Sequence, residues 1–276
     1  MSELGVALPD SLLMEDRDLR DKTLKLGQIA RAASIFCVRR IIIFPDPMGE
    51  GGKDNILIRD VLQYIETPQY LRKRLYPLKP HLKFAGLLPP LKIPSHKREA
   101  VLRDGEFREA FIELKGRDER VAFVGTPNPI KYTGKAKPGS RQTVRIRIES
   151  GVAKAIDASR SEINEYWGYS VKMVTDLFQY IERYNLKVAT SRLGTPITHI
   201  WENLCLKLGS SPTCVVVFGS PKRGLFEMFQ NQDMTRFDFV LNVVPGQGVE
   251  TVRTEEAVFL SLQAITLCSS LSKKQR

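Results

Sequence analysis

The feature that most constrains how this sequence can fold is a change of hydrophobic period in the middle of the chain. Toward both ends, apolar residues alternate between strand-like runs and helical spacing, whereas residues 99–159 hold only short β-type runs separated by Gly and Pro turns. Strand–helix–strand alternation builds a parallel sheet covered by helices, and several short strands in sixty residues build a small barrel. The pattern therefore predicts an α/β domain interrupted by an inserted β module. With 276 residues, 42% of them hydrophobic, the chain is long enough to give each part a core.

Residues 5–13 predict a short strand. Leu26, Ile29, Ala30, Ala33 and Phe36 then mark a helix, and Arg39–Phe44 a second strand. Pro47, Gly49, Gly51 and Gly52 predict a loop, and Asp54 is placed to cap a helix whose buried stripe is Ile58, Val61, Leu62 and Ile65. In the middle, Phe107–Leu114, Arg120–Val124, Thr143–Ile148 and Val152–Ile156 read as strands of a barrel of the OB type. After about residue 162 the α/β rhythm resumes. Strands are expected near 169–174, 187–191, 214–218 and 237–244, with helices carrying Leu177, Phe178 and Ile181, then Trp201, Leu204 and Leu208, then residues 223–230. A last helix carries Val258, Leu262 and Ile265 on one face. The expected organisation is 1–92 as the first part of the α/β domain, 93–161 as the insert, and 162–276 as the rest.

Charge bears on partners. Forty-two Lys and Arg against 31 Asp and Glu leave a net charge of +11, which points to a polyanion, most often nucleic acid; a basic surface kept for solubility is the competing reading. Pro68–Arg98 contains eight Lys or Arg and no acid, with five prolines between Pro77 and Pro94. Prolines fix φ, so this stretch predicts an extended, rigid connector, either a solvated linker or a strap touching RNA. Lys131–Arg147 contains six basic residues and no acid, and Arg145 and Arg147 alternate there with Val144, Ile146 and Ile148. One strand face is thus basic while the other enters a core, the pattern of a groove tracking phosphates or of an edge strand blunted by charge. Lys97, Arg98, Lys135, Lys137, Arg145, Arg147 and Lys222 are the candidate RNA contacts.

Cys37, Cys205, Cys214 and Cys268 lie far apart with no CxxC pair, so neither a zinc site nor a disulfide framework is expected. His81, His96 and His199 show no spacing for a triad or a metal. The longest apolar runs are four or five residues, and the first 20 residues carry acids and no apolar segment, so no membrane span or secretory signal is expected and a cytoplasmic protein is.

Two glycine-bearing loops follow predicted strands. Gly219-Ser220-Pro221-Lys222-Arg223-Gly224 lacks the Lys and Ser or Thr of a phosphate-binding P-loop. Pro245-Gly246-Gln247-Gly248-Val249-Glu250-Thr251 places Thr251 where a dinucleotide fold needs its third glycine, and only 25 residues follow, too few for further strand–helix units. What survives is a ligand held by the backbones of two loops at the carboxyl ends of strands, weighed against ordinary strand-to-helix turns.

These loops carry a family resemblance. Val217–Glu227 (Val-Phe-Gly-Ser-Pro-Lys-Arg-Gly-Leu-Phe-Glu) followed by Leu241–Ala257 resembles the SPOUT, or α/β-knot, RNA methyltransferases, closest to the branch with an OB-like insertion. The connector Pro80–Leu91 is similar to that branch as well, and Val252-Arg253-Thr254-Glu255-Glu256-Ala257 resembles the Leu-Arg-Thr-Glu-Thr-Ala segment of ribosomal RNA uridine-N3 methyltransferases. The resemblance implies a trefoil knot over about residues 185–271, S-adenosyl-L-methionine as methyl donor, and a homodimer built on the knot and the last helix. By the same carry-over the donor is held by Ser191 and Arg192 in the first loop, Gly219, Ser220 and Gly224 in the second, and Asn242, Val243, Pro245, Gly246, Gln247, Gly248, Val249, Thr251 and Thr254 in the third. A side chain at Gly248 is expected to block that site, and Val258, Leu262 and Ile265 offer an apolar face that a dimer interface or the core of the same chain explains equally well.

Methylating a ring nitrogen requires a group that takes its proton or stabilises the deprotonated base. Arg223 and Glu255 are the catalytic candidates, with Arg253 and Glu256 beside them; local helix capping explains the two acids equally well. The reading is an RNA methyltransferase acting on uridine N3 of ribosomal RNA. The alternatives are ribose 2′-O methylation, or a non-catalytic RNA-binding or ribosome-assembly protein that retains the fold.

Overall fold

The computed structural model describes residues 3–49, 52–116, 118–229 and 231–274; of the sequence expectations, Gly51 and Gln230 lie outside these residues. In chain order the elements are β1 (Glu3–Pro9), α1 (Leu19–Ile35), β2 (Arg40–Phe44), α2 (Asn55–Glu66), α3 (Gln69–Leu75), β3 (Phe107–Lys115), β4 (Glu119–Phe123), β5 (Ile130–Thr133), β6 (Arg141–Glu149) and β7 (Val152–Asp157). They continue with β8 (Ser170–Met173), α4 (Leu177–Ile181), β9 (Leu186–Pro196), α5 (Ile197–Ser210), β10 (Thr213–Val217), α6 (Leu225–Met228), α7 (Asn231–Met234), β11 (Phe239–Asn242) and α8 (Thr254–Lys274). The chain divides into two compact units. The first comprises residues 1–63, 84–89 and 169–276, the second residues 64–83 and 90–168.

The first unit is a six-stranded sheet in the order β11-β9-β10-β1-β2-β8, parallel throughout. Its central strands are apolar on both faces because helices cover both sides: Val6, Leu8, Ile41, Ile42, Val215 and Val216 are all fully buried. Asp18 caps α1 by accepting from the Asp21 amide at 2.8 Å. Within that helix Gly27 is required by a close approach, since a Cβ there would sit 2.5 Å from Leu88 Cδ2. Val258, Leu262 and Ile265 of α8 are buried in this unit, so of the two readings of that face the core is the one observed. The apolar residues that α8 exposes are Leu260, Leu267 and Leu271.

The second unit contains a closed barrel, β3-β4-β5-β7-β6, in which only the β5–β7 pairing is parallel. Its strand order and that single parallel pairing are those expected of an OB-type barrel. Alternate inward residues fill it, among them Ala110, Ile112, Ala122, Val144, Ile146 and Ala155. Ser150 and Gly151 both adopt positive φ, 50° and 78°, the conformation that a two-residue hairpin between β6 and β7 demands. β5 escaped the sequence reading because four residues just after Pro127 and Pro129 carry too little periodicity to register. The expected connector is corrected too. Pro68 stands at the N-cap of α3, and the chain-breaking prolines begin only at Pro77, after the helix has ended.

Candidate functional site

In the first unit the carboxyl ends of β11, β9 and β10 lie side by side, and the segments leaving them enclose a cavity of about 200 Å³. Residues 190–193 bulge within β9 between its paired stretches 186–189 and 195–196, 218–224 follow β10, and 241–244 with 247–254 lead from the end of β11 into α8. Such a crevice at strand C-termini is where open α/β sheets bind ligands.

Side chains shape these loops. Thr190 Oγ1 donates to the Val217 carbonyl at 3.1 Å, tying the first loop to the root of the second. The Ser220 hydroxyl accepts from the Arg223 amide at 3.1 Å and donates to the Arg223 carbonyl at 3.3 Å, closing a tight turn. Gly219 is needed there, since a Cβ would stand 2.9 Å from the Arg223 carbonyl oxygen. Asn242 Nδ2 donates to the Arg192 carbonyl at 2.9 Å while Asn242 Oδ1 accepts from the Val244 amide at 3.0 Å. Arg192 in turn donates to the Glu250 carbonyl at 3.0 Å, and Gln247 Nε2 donates to the Val249 and Glu250 carbonyls at 2.9 and 3.0 Å. The side chains of Asn242 and Arg192 therefore hold the first and third loops to one another, and Gln247 braces the third from within.

Of the residues expected at the donor site, Ser191, Arg192, Gly219, Ser220, Gly224, Asn242, Val243, Gln247, Thr251 and Thr254 line this one cavity, together with Lys222 and Arg223. Pro245, Gly246, Gly248 and Val249 do not line it, and a Cβ built at Gly248 meets open space. Glu255 lies outside the lining as well. It is buried, with Oε2 3.9 Å from Nζ of Lys25, which also pairs with Asp16 at 2.6 Å. The carboxylates that do line the cavity are Glu227 and Glu250, both exposed. The sequence reading missed Thr190, Phe226, Glu227 and Ser261. A glutamate and a serine inside helices carry no local signal, and only the tertiary fold brings them to the loops.

Charge is distributed unevenly over the wall. Arg192, Lys222, Glu227 and Glu250 are exposed at the rim, while Phe218, Leu241, Thr254 and Ser261 form buried, uncharged surface. Ser261 is 0% exposed and its hydroxyl makes no hydrogen bond.

The basic candidates of the barrel are in varied states. Lys135 and Lys137 are exposed, as is Lys131. Arg145 is paired with Glu162 at 2.6 Å and lies over the Phe107 ring, and Arg147 stands 3.9 Å from Asp104. Arg98 is exposed and Lys97 half-buried. Arg141, counted in the same basic run, is committed to a buried network. It donates to Glu66 at 2.6 Å and to Glu109 at 2.5 Å, while Glu109 also accepts from Thr143 at 2.7 Å and from Trp167 Nε1 at 2.6 Å. Burial raises the Glu66 carboxyl above its ordinary range. Burial pushes Glu109 the same way, but Arg141 and Arg160 together outweigh it and hold that carboxyl low. Burial also lowers His96, whose Nε2 donates to the Glu66 carbonyl at 2.8 Å, to about 4. Among the described residues no cluster of His, Cys, Asp or Glu could hold a metal, and no helix is long and apolar enough to cross a membrane.

The model of a family described as "Putative RNA methyltransferase" matches residues 3–265. An uncharacterized protein of Haloarcula marismortui is 34% identical over 283 residues, spanning 95% of this chain and 98% of its own. The 28S rRNA (uridine-N(3))-methyltransferase of Homo sapiens is 32% identical over 299 residues, spanning 95% of this chain and 77% of its own. The protein of the same description from Drosophila melanogaster is 32% identical over 306 residues, covering 96% of this chain and 62% of its own.

Proposed function

The chain belongs to that RNA methyltransferase family, and from this premise we propose that it transfers a methyl group from S-adenosyl-L-methionine to N3 of a uridine in ribosomal RNA. The observation that carries the reading is the cavity at the ends of β9, β10 and β11, in which ten of the residues expected at the donor site meet. The relatives' uridine-N3 designation supports the choice of atom over ribose methylation.

The residues present fit such a donor. An uncharged buried floor with an unpartnered hydroxyl suits a nucleoside, and a rim bearing both signs of charge suits an amino-acid end. Gly219 and Gly224 let backbone approach closely, and Thr251 and Thr254 close the third side. When bound, the donor supplies an electrophilic methyl on a sulfonium, and much of the acceleration then comes from alignment. Glu227, at the rim, takes the N3 proton of the uracil, and the guanidinium of Arg223 stabilises the resulting anion. Glu255, turned toward Lys25, steadies the start of α8 against α1.

Three further features belong to the same reading. Residues 185–271 thread a trefoil knot. This is supported by β11 pairing with β9 while β10 separates β9 from β1, and by Gly194, where a Cβ would meet the Val240 carbonyl oxygen at 2.6 Å. The protein is a cytoplasmic homodimer joined through the exposed stripe Leu260, Leu267 and Leu271 of α8. Residues 93–161 form an RNA-binding insert between catalytic parts 1–92 and 162–276.

The test incubates the protein with S-adenosyl-L-methionine and uridine-containing ribosomal RNA transcripts, then digests the RNA for mass spectrometry. 3-Methyluridine is expected. A 2′-O-methylated nucleoside would overturn the choice of atom, and absence of calorimetric binding of S-adenosylhomocysteine would overturn the enzyme.

A further inference from the structure

Ser261 stands in the middle of α8, among the residues that line the cavity. Serines in helices can return their hydroxyl to a carbonyl one turn back, as Ser210 and Ser270 do here, while Ser34 of α1 is buried and unbonded like Ser261 but does not line this cavity. Ser270 donates to the Leu267 carbonyl at 2.7 Å and Ser210 to the Leu206 carbonyl at 3.1 Å. Both of those serines lie at exposed sites, where water would have satisfied them anyway. Ser261 is fully buried and its hydroxyl bonds to nothing. A hydroxyl left unpaired in an apolar interior goes without the hydrogen bonds it would make to water, so one held against a cavity wall is suited to a group that enters the cavity.

Helical spacing places the serine. Thr254, Ala257 and Ser261 stand three and four residues apart on one face of α8, and all three line the cavity. Thr254 is at the first turn beside the loops, so Ser261, two turns further along the helix, marks the floor. The other buried hydroxyl from the loops, that of Ser220, is already engaged with the Arg223 backbone.

From this geometry we infer that the Ser261 hydroxyl is a specificity-determining contact for the base of the donor's adenosine. The inference rests on the proposed use of the cavity for S-adenosyl-L-methionine. Every charged residue of the lining except the half-buried Arg223 is exposed, and the buried walls at Phe218 and Leu241 are apolar. A carboxylate or ammonium driven to that floor would be desolvated without a counter-charge, whereas a neutral purine is flat, largely apolar on its faces, and edged with hydrogen-bonding atoms. A hydroxyl can donate to a ring nitrogen or accept from an amino group, so one serine serves such an edge.

The test is calorimetric, on the full chain, with Ser261→Ala and with Ser261→Val, whose extra methyls crowd the floor. Alanine is the better helix former, so Ser261→Ala keeps the fold, which circular dichroism and the thermal midpoint check. S-adenosylhomocysteine should bind Ser261→Ala about three- to tenfold more weakly, the scale of one net hydrogen bond, and Ser261→Val more weakly still. 5′-Methylthioadenosine has the adenosine but no amino-acid end, and it should lose the same factor. Its 2′- and 3′-deoxy forms should lose that factor too.

Equal affinity of wild type and Ser261→Ala for both ligands would overturn the inference. So would a loss seen with S-adenosylhomocysteine and not with 5′-methylthioadenosine, which would move Ser261 to the amino-acid end. A loss that vanishes in one deoxy form would assign the hydroxyl to the ribose. Failure of the wild-type protein to bind either ligand would instead overturn the proposed function, so the two failures are distinguishable.

Discussion

The cavity of the first unit and the buried network of the second use similar residue types to opposite ends. Glu66, Glu109, Arg141, Arg160, His96, Trp167 and Tyr70 would look catalytic as a composition, with two carboxylates, a histidine and perturbed acidities in one place. Yet both carboxylates are consumed internally. Glu109, 0% exposed, accepts from Arg141, Thr143 and Trp167, while Tyr70 donates to its backbone carbonyl at 2.8 Å. Around the cavity the acids stand at an open rim, and a hydroxyl on the floor has no partner. A perturbed acidity marks strong interaction, and unspent hydrogen-bonding capacity beside a cavity marks a ligand.

The largest effect that could break this contrast is removal of Arg141. Arg141→Leu leaves Glu66 and Glu109 buried with only Arg160 nearby, at 3.8 and 3.6 Å and itself partly exposed. A loss of about 3–5 kcal/mol in the stability of the second unit is expected, the cost of orphaning a buried charge. The chain has two tryptophans, and Trp167 lies in the second unit while Trp201 lies in the first. Denaturant unfolding followed by Trp167 fluorescence in a Trp201→Phe background reads the second unit. Loss of less than 1 kcal/mol would mean that the network is not structural.

A smaller effect follows from His96. Its folded pKa is depressed from 6.5 to about 4, chiefly by burial, and the ring holds its proton on Nε2 while Nδ1 is buried without a partner. Protonation would place a second N–H where nothing accepts it. Between these two values the unfolded chain binds a proton that the folded chain refuses, so stability falls as pH drops from about 6.5 toward 4. Glu66 works against this trend, since a carboxyl raised by burial stabilises the fold as it protonates. The difference between wild type and His96→Asn isolates the histidine. Wild type should lose about 2–3 kcal/mol more than the variant across that window, and parallel pH profiles would show that His96 is protonated in the fold.

The cavity is sharpened by a pair of glycines. Gly219 lines it and has no room for a Cβ, whereas Gly248 does neither. Gly219→Val should weaken S-adenosylhomocysteine binding about tenfold or more, on the scale of 1–3 kcal/mol for forcing atoms into packed structure, while Gly248→Val should leave it unchanged. The reverse ranking would relocate the donor.

How much of this was legible in the sequence depends on the range over which the physics acts. The central strands could be read because burial on both faces forces unbroken apolar runs such as Ile41–Phe44 and Cys214–Val217. The two glycine loops could be read because close approach demands residues without side chains. Arg141 could not: it sits in an acid-free stretch between Lys137 and Arg145, and its partners Glu66 and Glu109 lie 75 and 32 residues away. The setting of Glu255 was hidden for the same reason, since Lys25 stands on α1. Val258, Leu262 and Ile265 form an apolar helical face whether it meets the same chain or another, so periodicity alone could not assign it.

The last and smallest effect concerns RNA, where the barrel's cations are no longer equivalent. Arg145 and Arg147 face Glu162 and Asp104, so a phosphate arriving there competes with a carboxylate already in place. Lys131, Lys135 and Lys137 are exposed. Each phosphate contact contributes about 0.7 to the slope of log affinity against log salt for a single strand. If all three lysines touch phosphates, replacing them with Gln should flatten that slope by about 2 units, and the Arg145→Gln, Arg147→Gln pair should flatten it by less than 1. S-adenosylhomocysteine affinity should be unchanged in both, because none of the five residues lines the cavity. A larger change from the arginine pair would mean that RNA displaces Glu162 and Asp104, making the ion pairs a gate on the barrel face.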